Sequence, residues 1–224
     1  MNVRLISKST SPERSEFEGI NNAQDIIAYC ARVSNPSNQI NNETSERLIR
    51  YLVKHQHWSP LEMVNACLEI ETTRDIAHQI VRHRSFAFQE FSQRYANPEE
   101  QGDMFEYSEA RLQDTKNRQN SIETSDVGLQ SWWDAQQKYV AEISKKIYDE
   151  ALEKGIAKEQ ARKVLPEGLT KTKLYMNGSL RSWIHYIELR SANGTQKEHM
   201  EIAHACAKVI AGIFPLMSEL QQGE

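Results

Sequence analysis

The chain has 224 residues, of which 39% are hydrophobic and 26% are charged, and its formal net charge is -4. This length supports one sizeable core, so we expect a single domain over residues 1–224. The acidic balance argues against general nucleic-acid binding, because such domains carry a basic surplus. No segment approaches the ~18 apolar residues that span a membrane, and the first residues lack a signal-peptide run, so we expect a cytoplasmic protein with no membrane partner.

The first part of the chain shows both of the spacings that predict regular structure. The predicted elements are a strand over residues 3–9, helices over 22–33 and 44–55, a strand over 61–71 and a helix over 72–83. In the second strand, Val64, Ala66 and Leu68 alternate with a more polar set, which predicts one apolar face. Thr72 and Asp75 resemble a capping box and predict the start of the helix that follows.

The rest of the chain begins with a polar excursion over residues 97–126, which we interpret as a long loop. The further predicted elements are helices over 129–151 and 157–165, a strand over 169–177, and helices over 179–190 and 193–214. Gly155 stands where a C-terminal glycine cap belongs, and Thr195 with Glu198 predicts a capping box. Helices outnumber strands without regular alternation, so we predict an α+β fold with a mostly antiparallel sheet packed by several long helices.

Three cysteines lie far apart and never form a C-x-x-C pair. Cys30, Cys67 and Cys206 each stand among apolar residues, which predicts buried free thiols in a reducing compartment. No histidine or arginine stands directly beside any of them, so a cysteine nucleophile is not expected.

A cluster of cations and aromatic residues, "RHRSFAFQEFSQRY", runs from Arg82 to Tyr95. Cations at a helix C-terminus are favoured by the helix dipole, which explains part of the cluster. Three consecutive side chains on a helix point about 100° apart and cannot share one solvated face. A helix end that unwinds would spread Arg82, His83 and Arg84 around an anionic ligand.

The residues after the triplet alternate in type. In an extended chain Glu90, Ser92 and Arg94 would point to the same side and form a recognition face for a polar ligand. The alternative is an exposed strand face that carries a simple Glu–Arg pair.

Other kinds of site have weaker patterns. His55, His57, His78 and His83 supply imidazoles, but no H-E-x-x-H motif or other known ligand spacing is present, so no metal site is expected. No glycine-rich phosphate loop is present, so a bound dinucleotide would be held by side chains. A metal-dependent hydrolase and an RNA-binding module that uses the cluster at Arg82 remain the rival functions.

The cluster resembles the signature of a known family. Arg82-His83-Arg84, seven further residues and Ser92 match the R-H-R signature of flavin-dependent thymidylate synthases, and Gln79 stands three residues before the triplet, as in that family. Further matching segments follow in the family's order and span about residues 30–200; they are "ARVSNP", "KHQHWSPLE", "ARKVLP" and "SLRSWIHYIELR".

The resemblance implies a homotetramer with FAD at subunit interfaces, which has dUMP, folate and further copies of the chain as partners. It implies a methyltransferase of de novo dTMP biosynthesis that methylates dUMP reductively, with methylenetetrahydrofolate as carbon donor and NADPH as reductant. The flavin would deliver the hydride, and the protein would orient and polarise the reactants.

The resemblance also assigns residues to ligands. For dUMP they are Gln79, Ile80, Val81, Arg82, Glu90, Phe91, Ser92, Gln93, Arg94, Arg162 and Arg190. For FAD they are Ser34, Ser59, Glu62, Arg82, His83, Arg84, Glu90, Ser179, Leu180, Arg181 and His185. Arg190 would be catalytic, because a guanidinium that favours ionisation at nitrogen 3 of the pyrimidine makes carbon 5 more nucleophilic without covalent attack by the enzyme.

Several assignments stay open within the resemblance. We interpret Ser92 as a dUMP-binding hydroxyl, since a serine nucleophile needs an adjacent base. His57 is a candidate for proton transfer or folate placement. Three positions differ from some family members, which have Gly at Gln93, Asn at His185 and a flavin-touching His at Gly194.

Overall fold

The computed structural model describes residues 2–13, 17 and 19–220. The strands are β1 (Asn2–Lys8), β2 (Asn65–Thr73), β3 (Ala87–Glu90), β4 (Arg111–Gln113), β5 (Ser121–Glu123) and β6 (Lys171–Ser179). The helices are α1 (Ala23–Ala31), α2 (Ser45–Lys54), α3 (Arg74–Ile80), α4 (Val127–Glu153), α5 (Lys158–Ala161), α6 (Leu180–Ser191), α7 (Lys197–Ala211) and α8 (Met217–Leu220). The main sheet has the order β1-β2-β6-β3 and is antiparallel at every pairing, which confirms the predicted α+β fold.

Strand β2 lies in the interior of the sheet, between β1 and β6, and its alternating side chains bury one whole face. Ala66, Leu68 and Ile70 are all buried, as their spacing predicts. The strand pairs with β6 over its full length. The predicted strand began too early, because Ser59–Met63 form a 3-10 turn in which Pro60 has no N–H to give to a ladder.

Strand β1 forms one edge of the sheet and is irregular. Its register with β2 shifts between Leu5 and Ser7, which marks a β-bulge. Val3 packs against the core, whereas Leu5 is 36% exposed. An unbroken strand would place Val3, Leu5 and Ser7 on one face, and the bulge takes Ser7 out of that alternation.

Helices α6 and α7 supply much of the core. Trp183 of α6 is fully buried, and its Nε1 donates a hydrogen bond to the carbonyl oxygen of Ala66 at 3.1 Å, which ties α6 to β2. Cys206 of α7 is buried as predicted, and burial raises the pKa of its thiol. Cys30 and Cys67 are only half-buried, which corrects the prediction for them.

Helix α3 is shorter than predicted at both ends. Thr72 is buried in β2, so it does not cap the helix. Thr73 is the N-cap residue, but its hydroxyl bonds Asp75 Oδ1 at 2.5 Å and not a backbone N–H of the helix. The helix ends at Ile80, so the cationic triplet lies beyond it.

Helix α7 also begins differently from its prediction. Gln196 is the N-cap residue and makes no side-chain capping bond. Glu198 is bonded by Arg111 of β4, so the predicted capping box with Thr195 does not form. Glu198 therefore pairs with Arg111, which is distant along the chain, and not with the nearby Thr195.

The polar excursion has structure of its own. It contains a 3-10 turn at Pro98–Gln101 and the hairpin of β4 and β5, which corrects its interpretation as a plain loop. Helix α4 follows and ends as predicted, since Gly155 has φ +78 and the Ile156 N–H bonds the Ala151 carbonyl at 2.9 Å. Although α4 has 27 residues, no described helix is long and apolar enough to cross a membrane.

Candidate functional site

The cationic triplet lies on the turn between α3 and β3. Arg82 and Arg84 are exposed, and in the described part of the chain their guanidinium groups have no hydrogen-bond or ion-pair partner. His83 is half-buried between them. Phe86 anchors the turn to the core, because its ring packs edge-on against that of Trp183 with 4.8 Å between the centroids. Two cations therefore face outward on a rigid base, as an anionic ligand would require.

His83 contacts Arg190 of α6. The Nε of Arg190 donates a hydrogen bond to Nε2 of His83 at 2.9 Å, so the imidazole proton of His83 is on Nδ1. Burial, and then the charge of Arg190, lower the pKa of His83 to about 4. A neutral histidine thus holds one edge of the guanidinium, and no other described residue bonds the terminal nitrogens of Arg190.

Behind this pair lies a chain of buried and partly buried hydrogen bonds. Nδ1 of His199 is 3.2 Å from Gln79 Oε1, and Nε2 of His199 is 3.2 Å from the Tyr186 hydroxyl. Gln79 Nε2 donates in turn to Gln196 Oε1 at 2.8 Å. Burial, followed by the charges of Arg190 and His83, lowers the pKa of His199 to about 3, so this imidazole is neutral.

The neutral state fixes the direction of this chain. Because Gln79 Oε1 can only accept, Nδ1 of His199 donates to it. Nε2 of His199 then accepts the Tyr186 hydroxyl proton, and burial raises the pKa of that tyrosine well above its ordinary value. The side-chain amide of Gln79 is therefore held in one orientation.

A second cluster lies at the start of α6. Glu62 Oε2 accepts a hydrogen bond from the Ser179 hydroxyl at 2.5 Å, and Glu62 Oε1 accepts one from Arg181 at 2.8 Å. The Ser179 hydroxyl, the largest cause, and Arg181 lower the pKa of Glu62 against the opposing effect of burial. His185 lies next to this cluster, with its ring edge-on to Trp58 at 4.5 Å.

The alternation after the triplet is only partly extended. Glu90 ends β3 and accepts hydrogen bonds from Thr172 at 2.9 Å and from Arg74 at 3.3 Å. Beyond it the chain turns, since the N–H groups of Tyr95 and Ala96 both bond the carbonyl of Ser92. The expected common face of Glu90, Ser92 and Arg94 therefore does not form.

Similarity to known proteins identifies the family. Residues 17–216 match the family described as thymidylate synthase complementing protein. A probable flavin-dependent thymidylate synthase of Paramecium bursaria Chlorella virus 1 is 49% identical over 219 residues, which cover 98% of both chains. The chain belongs to the family of flavin-dependent thymidylate synthases. A flavin-dependent thymidylate synthase of Synechocystis sp. is likewise 49% identical and covers 97% of this chain and 98% of its own.

A solved structure of a methylase has the same architecture as this chain. The UMP/dUMP methylase PolB from Streptomyces cacaoi, crystallised with 5-Br dUMP, superposes with a TM-score of 0.80 at 25% identity. The match covers 98% of this chain and 93% of PolB. The chain is therefore a member of an enzyme family, and its fold is shared with a methylase.

Most of the predicted ligand residues fall into two groups within this chain; the surroundings of Gln79, Arg82, Arg84, Glu90 and His185 are given above. His83 with Arg190, and Glu62 with Ser179 and Arg181, are brought into direct contact. The residues of the other group make no side-chain hydrogen bond or ion pair to these clusters within the part of the chain that the structure describes; they are Ser34, Ser59, Ile80, Val81, Phe91, Ser92, Gln93, Arg94, Arg162 and Leu180.

Members of the second group differ in their surroundings. Ser34 lines an open groove of about 540 Å³ that includes no other predicted flavin residue. Arg94 pairs with Glu159 at 3.3 Å, whereas Arg162 has no side-chain partner in the described residues. Gln93 is 3% exposed, and its buried Nε2 has no hydrogen-bond partner among the residues that the structure describes. Such an unpaired donor needs a partner that is not in this chain.

Three residues of the site were not predicted from the sequence. Tyr186, Gln196 and His199 complete the hydrogen-bond chain around Gln79, and no local pattern marks them. Their partners stand 13 to 120 residues away along the chain. Among the described residues, no group of three or more His, Cys, Asp and Glu side chains could hold a metal ion.

Proposed function

We propose that this chain is a methyltransferase that converts dUMP to dTMP, with methylenetetrahydrofolate as carbon donor, FAD as hydride carrier and NADPH as reductant. The observation that carries the proposal is the contact between His83 of the family signature and Arg190, at 2.9 Å. The contact joins a turn that can bind anions to a cation that can bind the pyrimidine. The chain also belongs to the family of flavin-dependent thymidylate synthases and shares its fold with a UMP/dUMP methylase. We expect residues 1–224 to form one domain that carries this activity.

Arg190 is the residue proposed to activate the pyrimidine. Its Nε is held by neutral His83, so the terminal nitrogens can donate to the oxygen and nitrogen 3 of the ring. A fixed cation at this position stabilises the nitrogen 3 anion and increases electron density at carbon 5. No enzyme nucleophile is needed, and the Ser92 hydroxyl has no base hydrogen-bonded to it among the described residues.

The residues around the triplet suit a flavin nucleotide. The unpaired guanidinium groups of Arg82 and Arg84 are matched to anionic oxygens such as those of a pyrophosphate. Glu62 is kept ionised and oriented by Ser179 and Arg181, so it can accept a hydrogen bond from a ligand N–H or hydroxyl group. The flavin, when bound, supplies the hydride, and these side chains orient it.

The activity is tested by release of tritium from carbon 5 of labelled dUMP, with FAD, NADPH and methylenetetrahydrofolate present. We expect release that depends on all three additions, together with formation of dTMP. A purified protein without flavin absorbance, which regains none with FAD and releases no tritium, would contradict the proposal. A hydrolytic activity that chelators abolish, without any dependence on flavin, would favour a metal-dependent hydrolase instead.

We propose further that the sites are completed between subunits of a homotetramer. Helix α4 carries a stripe of exposed apolar side chains; its members are Trp132, Trp133, Tyr139, Val140, Ile143 and Ile147. Such a stripe is unfavourable in water and is typical of an interface. The unpaired Nε2 of Gln93 and the guanidinium of Arg162, which has no side-chain partner among the described residues, support the same arrangement.

The assembly is tested by charging this stripe. Ile143→Glu with Ile147→Glu places two carboxylates on it, and we expect species smaller than the tetramer of the unaltered protein, because burial of unpaired charge is costly. The measurement is light scattering coupled to size exclusion. The matched control is Ser131→Glu with Ala135→Glu, which adds the same charges at the same spacing on the exposed face of α4 that also carries Glu142. Equal masses for both variants would contradict the interface.

A further inference from the structure

A small polar cavity lies between β2, the hairpin and the start of α7. Its volume is about 80 Å³, and its lining includes Thr72, Asp75, Arg111, Gln196 and Glu198. Among the described residues, three of these side chains have a buried polar atom without a hydrogen-bond partner, namely Thr72 Oγ1, Glu198 Oε2 and Arg111 Nη1, whose nearest carboxylate is that of Glu109 at 3.7 Å. A cavity needs about 10–15 Å³ to hold one water molecule, so this one has room for several waters, which would satisfy these atoms.

Arg111 and Glu198 form the wall of this cavity and are themselves paired. Arg111 Nη2 donates to Glu198 Oε1 at 2.5 Å, and the side chains are only 12% and 19% exposed. The hairpin also holds α7 through Lys197, which bonds Glu109 at 2.6 Å and Glu123 at 2.5 Å. Those partners are more exposed, so solvent weakens their attraction, and the buried pair is the more directional contact.

The buried pair leads directly to the hydrogen-bond chain of the site. Glu198 stands between Gln196 and His199 in the first turn of α7. Gln196 accepts a hydrogen bond from the amide of Gln79, and His199 donates one to the same amide. A displacement of this turn therefore moves both partners of Gln79 together.

We propose that Arg111 is a positioning residue, which acts through Glu198 and the water in the cavity to fix the start of α7 and so the amide of Gln79. The consequence for catalysis rests on the proposed function, in which Gln79 binds dUMP. The hairpin thus contributes to substrate binding without contact with the substrate.

The test replaces both members of the pair, because removal of one alone leaves a buried charge. For Arg111→Met with Glu198→Met we expect the KM for dUMP to rise about three- to tenfold, the factor for one uncharged hydrogen bond. The kcat should change less, since Arg190 and His83 are untouched. The nitrogen-15 spectrum of His199, assigned with a His199→Gln variant, should change from a pure Nδ1–H tautomer to a mixture.

Two further variants separate positioning from general stability. Lys197→Met removes the exposed contacts of the same hairpin, and we expect the KM and the His199 spectrum to stay as in the unaltered protein. Arg111→Lys keeps a cation opposite Glu198, so we expect its KM for dUMP to stay close to that of the unaltered protein. An unchanged His199 spectrum and KM in the double Met variant would overturn the proposal. If the unaltered protein does not methylate dUMP, the proposed function fails, but the His199 spectrum still decides whether Arg111 positions Gln79.

Discussion

Arg190→Ala is expected to lower kcat/KM for dTMP formation by about 10²–10³-fold, the loss typical of one preorganised charge donor. The variant should retain bound flavin, because the residues proposed to bind it, on the Arg82 turn and in the Glu62 cluster, remain in place. The pKa of His83 should rise towards its ordinary value, since the charge of Arg190 is one of the two causes that lower it. Steady-state kinetics, flavin absorbance and titration of His83 by NMR measure these three effects.

Arg118→Ala is the matched control for this variant. Arg118 is exposed on the hairpin, and its guanidinium has no partner in the described part of the chain. Its loss should leave the rate unchanged. Full activity of Arg190→Ala, or an equal loss in both variants, would contradict the role assigned to Arg190.

Gly178→Ala is expected to destabilise the protein by about 1–3 kcal/mol, the usual cost of overpacking a core. A Cβ at Gly178 would clash with Cδ1 of Phe86 and lie 2.7 Å from its Cε1. That ring cannot move freely, because it packs against Trp183 at 4.8 Å. Thermal unfolding should show a fall in Tm of about 2–12 °C.

The control for this substitution is Gly168→Ala. A Cβ at Gly168 would meet no atom within 4 Å, and the residue has no positive φ, so its Tm should be unchanged or slightly higher. If both alanine variants melt at the same temperature, the close approach of Phe86 to β6 is not a constraint. Since Phe86 supports the turn of Arg82 and Arg84, Gly178→Ala should also weaken flavin binding.

Most of the fold could be predicted because its elements follow local patterns. The alternation from Val64 to Ile70 predicted the buried face of β2, and Gly155 predicted the end of α4. The capping boxes failed for a reason that sequence does not show. Thr72 was needed by the sheet and Glu198 was taken by Arg111, and both competing partners are distant along the chain.

The site was predictable only in part. The resemblance to the family pointed to His83 and Arg190, which the fold brings together across 107 positions of sequence. It did not point to Tyr186, Gln196 or His199, because a buried hydrogen-bond chain depends on how three helices pack.

The irregular first strand protects an exposed edge of the main sheet. The edge of a sheet offers unpaired backbone groups to any further strand, and long regular edges promote aggregation. In β1 the bulge between Leu5 and Ser7 breaks that edge into short runs, and Arg4 and Lys8 place charge along it. An added strand would find no continuous register along this edge, so the edge resists open-ended growth.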